Sequence, residues 1–246
     1  MGSRVAALAC RDTAFTLVGG VVRSPDLTTP SSFPLSHRLQ DFLDSADVIV
    51  DFTEPRSSLE HLGLAVRSGK AVVIGTTGFG KPQVRRIAQA GRKVPIVMAS
   101  NMSLGANLLF YLAGLAAAKL PGYDAEIIEV HHRHKKDAPS GTALRLAQSV
   151  ACSRSRSGLG DFKIQPCRCG TSPRGEQEIG IASVRAGDVV GEHTLILAGE
   201  GERVELSHRA FSRDVFAQGA LSAAKWVCGK KPGWYDMSRV LGLGLE

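Results

Sequence analysis

The sequence predicts an α/β fold: a doubly wound parallel-sheet domain followed by a second, α+β domain. Three observations carry this. Four short β-branched runs, at 17–22, 47–51, 71–74 and 94–98, fall within the first hundred residues. The last two follow plausible helices at 57–67 and 81–91, an alternation that marks parallel βα units. Further along, strand-like runs succeed one another with a single helix among them, which predicts a mixed or antiparallel sheet layered against helices.

Valine and isoleucine run through the early strands without polar alternation, so both sheet faces are expected to be covered. Polar and glycine-rich turns close them: Arg23-Ser24, Phe52-Thr53-Glu54-Pro55, Gly75-Thr76-Thr77-Gly78 and Asn101-Met102-Ser103. In such sheets ligands sit at that carboxyl edge. The segment 25–37, rich in proline, serine and threonine, reads as a surface loop. An apolar helix is expected over 104–119, with Leu104, Leu108, Leu112 and Leu115 sharing its face. Strands follow at 125–132, 179–185, 192–198 and 203–209, with a helix at 142–151, a solvated Ser/Arg loop at 153–158 and a helical tail at 214–228 that returns to the first domain. There is no internal repeat and no heptad pattern.

With 246 residues and 43% hydrophobic content, the chain can bury a sizeable core in two domains. Its net charge of +7 favours anionic partners, nucleic acid or small phosphates and carboxylates. Five cysteines, an odd number without paired Cys-x-x-Cys spacing, suit free thiols in a reducing compartment. No window approaches eighteen consecutive apolar residues, and the apolar run at 5–9 is too brief for a signal peptide. A cytoplasmic protein without a membrane partner is expected.

The stretch HHRHKKDAPSGTA, 131–143, concentrates positive charge and titratable nitrogen. A zinc site is disfavoured, because Arg133, Lys135 and Lys136 raise the local potential and adjacent strand histidines point to opposite faces. No metal is expected. A nucleic-acid patch would need basic residues continuing along a face or aromatic side chains for stacking, and neither is present. Two readings stay open on the residues alone. One is a solvated loop with one structural histidine. The other is an anion-binding catalytic loop: a strand delivers the histidines, Pro139 stiffens the turn, and Ser140 caps a helix whose first N–H groups, at Gly141 and Thr142, can hold a carboxylate or phosphate. A histidine there, with an ordinary pKa of about 6.5, could act as an acid, its pKa lowered by the positive neighbours and raised again by a bound dianion.

Several strings resemble the 4-hydroxy-tetrahydrodipicolinate (dihydrodipicolinate) reductase family. They are DFTEP at 51–55, GTTGF at 75–79, ASNMSLGAN at 99–107, EVHHRHKKDAPSGT at 129–142, RAGDVVGEH at 185–193 and SHRAFSR at 207–213, and the likeness runs essentially end to end. It implies a Rossmann-like dinucleotide-binding domain over 1–101, a substrate-binding and oligomerisation α+β domain over 102–212, and a C-terminal segment, 213–246, returning to the first. The implied activity is reduction of a cyclic imine dicarboxylate by NADPH or NADH in lysine and diaminopimelate synthesis, by a homotetramer. The resemblance casts His131 and Lys135 as proton donors. His132, Ser140, Gly141 and Thr142 become the substrate-carboxylate site, and Arg23, Phe52, Gly75, Thr76, Thr77, Ser100, Asn101 and Met102 the cofactor contacts. Val22 stands where family members preferring NADH often carry an acid, which with Arg23 retained implies a preference for NADPH.

Two departures stand out. Met1-Gly2-Ser3-Arg4 aligns with the end of the family's Gly-x-x-Gly-Arg-Met-Gly loop, so the first domain is expected to be incomplete at its start, with a strand and part of the pyrophosphate cradle missing. On that ground a catalytically impaired member acting as a binding or regulatory protein is the alternative. In CRCGTSPRGEQE, 167–178, Thr171 and Arg174 match the family, while Cys169 and Ser172 replace glycines, so either a distorted loop or an ordinary variable one is expected.

Overall fold

The computed structural model describes residues 1–23 and 32–243. The chain forms two compact units, Met1–Ser103 with Asp214–Glu246, and Leu104–Arg213.

The first unit opens with helix α1 (Gly2–Ala9) and a short parallel pair, β1 (Gly20–Val21) with β2 (Leu35–Ser36). Only two residues of the strand expected at 17–22 form, Gly20 and Val21, paired with the two residues of β2; Gly19 just before them backs onto the Phe42 ring, where an added Cβ would lie 2.3 Å from Cε1. β2 falls in the segment read as loop; residues 25–31 of that segment lie outside the described residues. Strands β3 (Val48–Asp51), β4 (Ala71–Ile74) and β5 (Pro95–Met98) alternate with α2 (Pro55–Ser68) and α3 (Lys81–Ala90). All four residues of β4 are buried, as its unbroken apolar run requires. α2 starts on Pro55 and stops at Gly69, whose φ of 66° supplies the left-handed C-terminal turn. Leu59, Leu62, Val72, Ile74, Ile87 and Ile96 lie in the core of this unit.

The second unit comprises α4 (Leu104–Lys119), β6 (Asp124–His131), α5 (Gly141–Arg156), β7 (Lys163–Pro166), β8 (Glu178–Arg185), β9 (Gly191–Ala198) and β10 (Arg203–Ala210). Its sheet runs β10-β9-β6-β8-β7 and is mixed: β6, β8 and β7 are parallel, while β9 is antiparallel to both β6 and β10. The two-residue period of β6 places Ala125, Ile127, Glu129 and His131 on the buried face. Ile127, Leu195 and Leu197 there join Leu109 and Phe110 of α4 and Leu146 and Val150 of α5 in one core.

The shared leucine face of α4 is turned outward. Leu108, Leu112 and Leu115 are 38–48% exposed, and the helix instead buries Ala106, Leu109, Phe110, Ala113, Gly114 and Ala117. The small residues permit close approach to α5, where Ser153 Oγ donates to the Gly114 carbonyl at 2.6 Å. The Ser/Arg run also differs from expectation: 153–156 are the last turn of α5, and Arg154 is buried, donating to the Tyr123 carbonyl with its guanidinium over Phe162. The loop at 167–177 is pinned by its arginines. Arg174 pairs with Asp124 and Glu126, and Arg168 with Glu126 and Glu178. Cys167, among the described residues the only non-glycine with positive φ, takes 53°.

The chain then adds α6 (Asp214–Val227), β11 (Gly233–Tyr235) and α7 (Met237–Val240) to the first unit. β11 joins the edge of a parallel sheet ordered β11-β5-β4-β3. Gly219 of α6 is the close-contact point: an added Cβ would sit 1.7 Å from the Met102 carbonyl oxygen.

Candidate active site

In the second unit β6 brings Glu129 and His131 to its carboxyl end on one face. Glu129 is fully buried and accepts hydrogen bonds at both oxygens. His131 Nδ1 lies 2.5 Å from Oε2, Arg185 donates from its two terminal nitrogens at 2.9 and 2.8 Å, and the Ser140 N–H donates at 3.2 Å. Burial works against the charged carboxylate, but the hydrogen bonds from Arg185, Ser183 and His131 prevail and hold its pKa at about 2. His131 is itself displaced downward. Burial is the leading cause, Glu129 opposes it, and the positive Lys135 and Arg185 add to it. The expected direction holds, but burial rather than like charge dominates.

The loop after His131 holds Lys135, whose Nζ donates to Asp137 Oδ1 at 2.8 Å, and then turns through a cis Ala138–Pro139 bond to Ser140. Ser140 is the N-cap of α5, its Oγ accepting from the Ala143 N–H at 3.1 Å. That hydroxyl also lies 2.9 Å from His193 Nε2, so both polar groups of the buried Ser140 side chain and N–H are engaged within the protein. Burial, with the adjacent His131, drives the His193 pKa down to about 3. Gly141 opens the helix at the surface beside half-buried Thr142. His132 is half-buried just beyond β6. Among the described residues no group of three His, Cys, Asp or Glu side chains could hold a metal.

Glu129, Arg185 and His193 were not singled out from the sequence. Arg185 and His193 lie more than fifty residues from the string 131–142, and sheet register alone brings them in: His131 pairs with Arg185 across β6 and β8, and Glu129 with His193 across β6 and β9.

In the first unit the carboxyl edge of the sheet is organised by buried Asp51. It accepts from the Thr53 N–H and Oγ1 at 2.9 and 2.7 Å and from Thr76 Oγ1 at 3.0 Å, and pairs with His61 Nδ1 at 2.7 Å. The 52–53 and 75–78 turns are thereby tied together. Phe52 lies over Gly75, where an added Cβ would come within 2.1 Å of the ring, so the turn surface exists only with glycine there. Thr77 and Ser100 are exposed and Asn101 is half-buried, its Oδ1 accepting from the Ser103 N–H. Thr76 and Met102 are buried, so their side chains face inward and only their backbones border the edge. Arg23 is 92% exposed, with Glu54 Oε2 at 3.8 Å. Glycine-shaped turns at a parallel sheet's carboxyl edge fit a dinucleotide.

The profile of the dihydrodipicolinate reductase N-terminus matches residues 1–102, and that of the C-terminus matches 105–241. The chain belongs to the dihydrodipicolinate reductase family. A 4-hydroxy-tetrahydrodipicolinate reductase of Aquifex aeolicus is 46% identical over 99% of this chain and 95% of its own length, and one of Thiobacillus denitrificans is 53% identical over 85% and 78%. Among solved structures, a dipicolinate-bound dihydrodipicolinate reductase from Paenisporosarcina sp. TG-14 superposes with a TM-score of 0.79 at 28% identity, over 96% of this chain and 92% of that one. The family's two-part architecture, a parallel-sheet Rossmann-like domain and a second sheet domain, is the one described above.

Proposed function

We infer that this chain reduces 4-hydroxy-tetrahydrodipicolinate to tetrahydrodipicolinate with a nicotinamide dinucleotide, in lysine and diaminopimelate synthesis. The observation that carries the reading is the His131 to Thr142 loop, set on the buried Glu129–Arg185 pair in a chain of this family. The overall change replaces a C–OH by a C–H, so one hydride and one proton enter and one water leaves. NADPH or NADH supplies the hydride when bound.

The chain's own residues handle charge and position. His131 and Lys135 supply protons as negative charge accumulates toward the ring nitrogen. A bound dicarboxylate raises the proton affinity of His131, which opposes the downward displacement and favours proton donation when substrate is present. His132, Lys135 and the Gly141 and Thr142 amides hold a substrate carboxylate at the start of α5, and Ser140 shapes that helix start. In the first unit Phe52, Gly75, Thr76, Thr77, Ser100, Asn101 and Met102 border the dinucleotide, the buried Thr76 and Met102 through their backbones.

Arg23, two residues beyond β1 with its guanidinium in solvent, supports a preference for NADPH through the extra phosphate. The partly exposed apolar side chains of Ile128 and Val184 on the outer sheet face support assembly through this unit, as a homotetramer. Among the described residues no helix is long and apolar enough to cross a membrane, and the reading places the enzyme in the cytoplasm. Nothing supports the alternative of a non-catalytic binding protein.

The test is NADPH absorbance on adding the cyclic imine to the purified chain. Loss of absorbance that depends on both imine and protein is expected; none, with the protein folded, would overturn the reading.

A further inference from the structure

We propose that Glu129 is a positioning residue for the reaction: its carboxylate, gripped by Arg185, fixes the His131 ring with Nδ1–H inward and leaves Nε2 as the nitrogen that exchanges protons. The proposal rests on the reading that His131 is the acid, and it adds the residue that decides which nitrogen acts.

Glu129 Oε2 receives Arg185 Nη1 and faces His131 Nδ1, while Oε1 receives Arg185 Nη2 and the Ser140 N–H. An ionised carboxylate is acceptor-only, so the imidazole nitrogen facing it must carry the proton. The ring is held from other sides too. His193 meets it edge to face at 5.1 Å, and Gly191 lies against Nε2, where an added Cβ would come within 3.0 Å. Arg185 is in turn anchored by donating to the Asp137 carbonyl at 2.6 Å. The charged groups around His131 are therefore Glu129, Arg185 and Lys135, with Asp137 on Lys135 and His193 adjacent.

The Glu129→Gln change separates positioning from mere packing. A glutamine amide placed at the Oε1 position would face two donors, Arg185 Nη2 and the Ser140 N–H. Placed at the Oε2 position it faces Arg185 Nη1 and can donate to His131 Nδ1 if the ring moves its proton to Nε2, while the Ser183 hydroxyl, which also hydrogen-bonds the carboxylate, can rotate to accept as well as donate. The substitution should therefore invert the tautomer while preserving shape.

The experiment is NMR of protein labelled with ¹⁵N-histidine, the His131 signals being identified by their loss in His131→Gln. Wild type is expected to show the Nδ1–H tautomer and Glu129→Gln the Nε2–H tautomer. In steady-state kinetics Glu129→Gln should lower kcat at least tenfold, change KM for the dicarboxylate less than threefold, and move the basic limb of the kcat profile to lower pH. An Nε2–H tautomer in wild type, or an Nδ1–H tautomer with an unmoved kcat profile in the variant, would overturn the proposal. The wild-type spectrum decides even if the variant does not fold. A wild type that turns over no imine would instead overturn the functional reading, with the tautomer still read independently.

Discussion

His193 Nε2 lies 2.9 Å from Ser140 Oγ, so one hydrogen bond joins a buried imidazole on β9 to the residue that caps α5. The helix start beneath the proposed carboxylate site thus depends on a residue 53 positions away. Replacing Ser140 by alanine removes the cap, worth about 1 kcal/mol, and strands a buried ring nitrogen, a further ~1–3 kcal/mol. A loss of about 2–4 kcal/mol in urea unfolding is expected, and a loss below about 0.5 kcal/mol would show that the contact does not form.

The same histidine sets a pH dependence of stability. Its pKa is about 3 in the fold against an ordinary 6.5, so above 6.5 it is neutral both folded and unfolded. Between 6.5 and 3 the unfolded chain binds a proton that the native state refuses. Stability therefore falls as pH falls, by up to about 1.4 kcal/mol per pH unit. His131 and His208 are displaced in the same direction and add to the slope. Glu129, held at about 2 against 4.5, adds a loss only below 4.5. Urea midpoints measured from pH 7.5 to 5 should fall, and less steeply in His193→Gln; equal slopes would remove His193 as the cause.

Gly75 is expected to tolerate no side chain. A Cβ there would lie 2.1 Å from Phe52 Cε1, so Gly75→Ala must displace the ring from the turn proposed to border the dinucleotide. Overpacking of this kind costs about 1–3 kcal/mol. Dinucleotide titration followed by fluorescence should show at least about tenfold weaker binding. An unchanged Kd in folded variant would place the cofactor elsewhere.

The strands of the first unit were legible because apolar runs between glycine-rich turns have few other uses, whereas the short length of β1 was not, because it pairs only with the two residues of β2, which lie in a stretch that reads as loop. The orientation of α4 was not legible. The helix is apolar nearly all round, so leucine spacing does not choose its buried face; the close approach of α5 does, at Gly114 and Ser153. The burial of Arg154 is likewise not legible locally, since the carbonyl and ring that receive it come from Tyr123 and Phe162. Of the site, the contiguous string carrying His131, Lys135 and Ser140 could be read directly, but its supports Arg185 and His193 arrive through strand register.

Arg23 and Glu54, 3.8 Å apart and largely in solvent, form the pair expected to tune cofactor choice. Arg23→Ala should weaken NADPH but not NADH, by roughly two- to fivefold for an exposed contact of up to about 1 kcal/mol. Glu54→Gln, which removes a negative charge beside the phosphate-seeking guanidinium, should strengthen NADPH by a similar factor. Equal weakening of both cofactors in Arg23→Ala would refute the phosphate contact.

The central claim is hydride transfer to the cyclic imine dicarboxylate, and the most direct measurement is mass spectrometry of the product formed with NADPH deuterated at the transferring C4 position. Tetrahydrodipicolinate one mass unit heavier is expected, with its rate of formation lowered by about 10²–10⁴-fold in Lys135→Ala if that lysine serves as a proton donor. Unlabelled product, or no product from folded wild-type protein, would contradict the account.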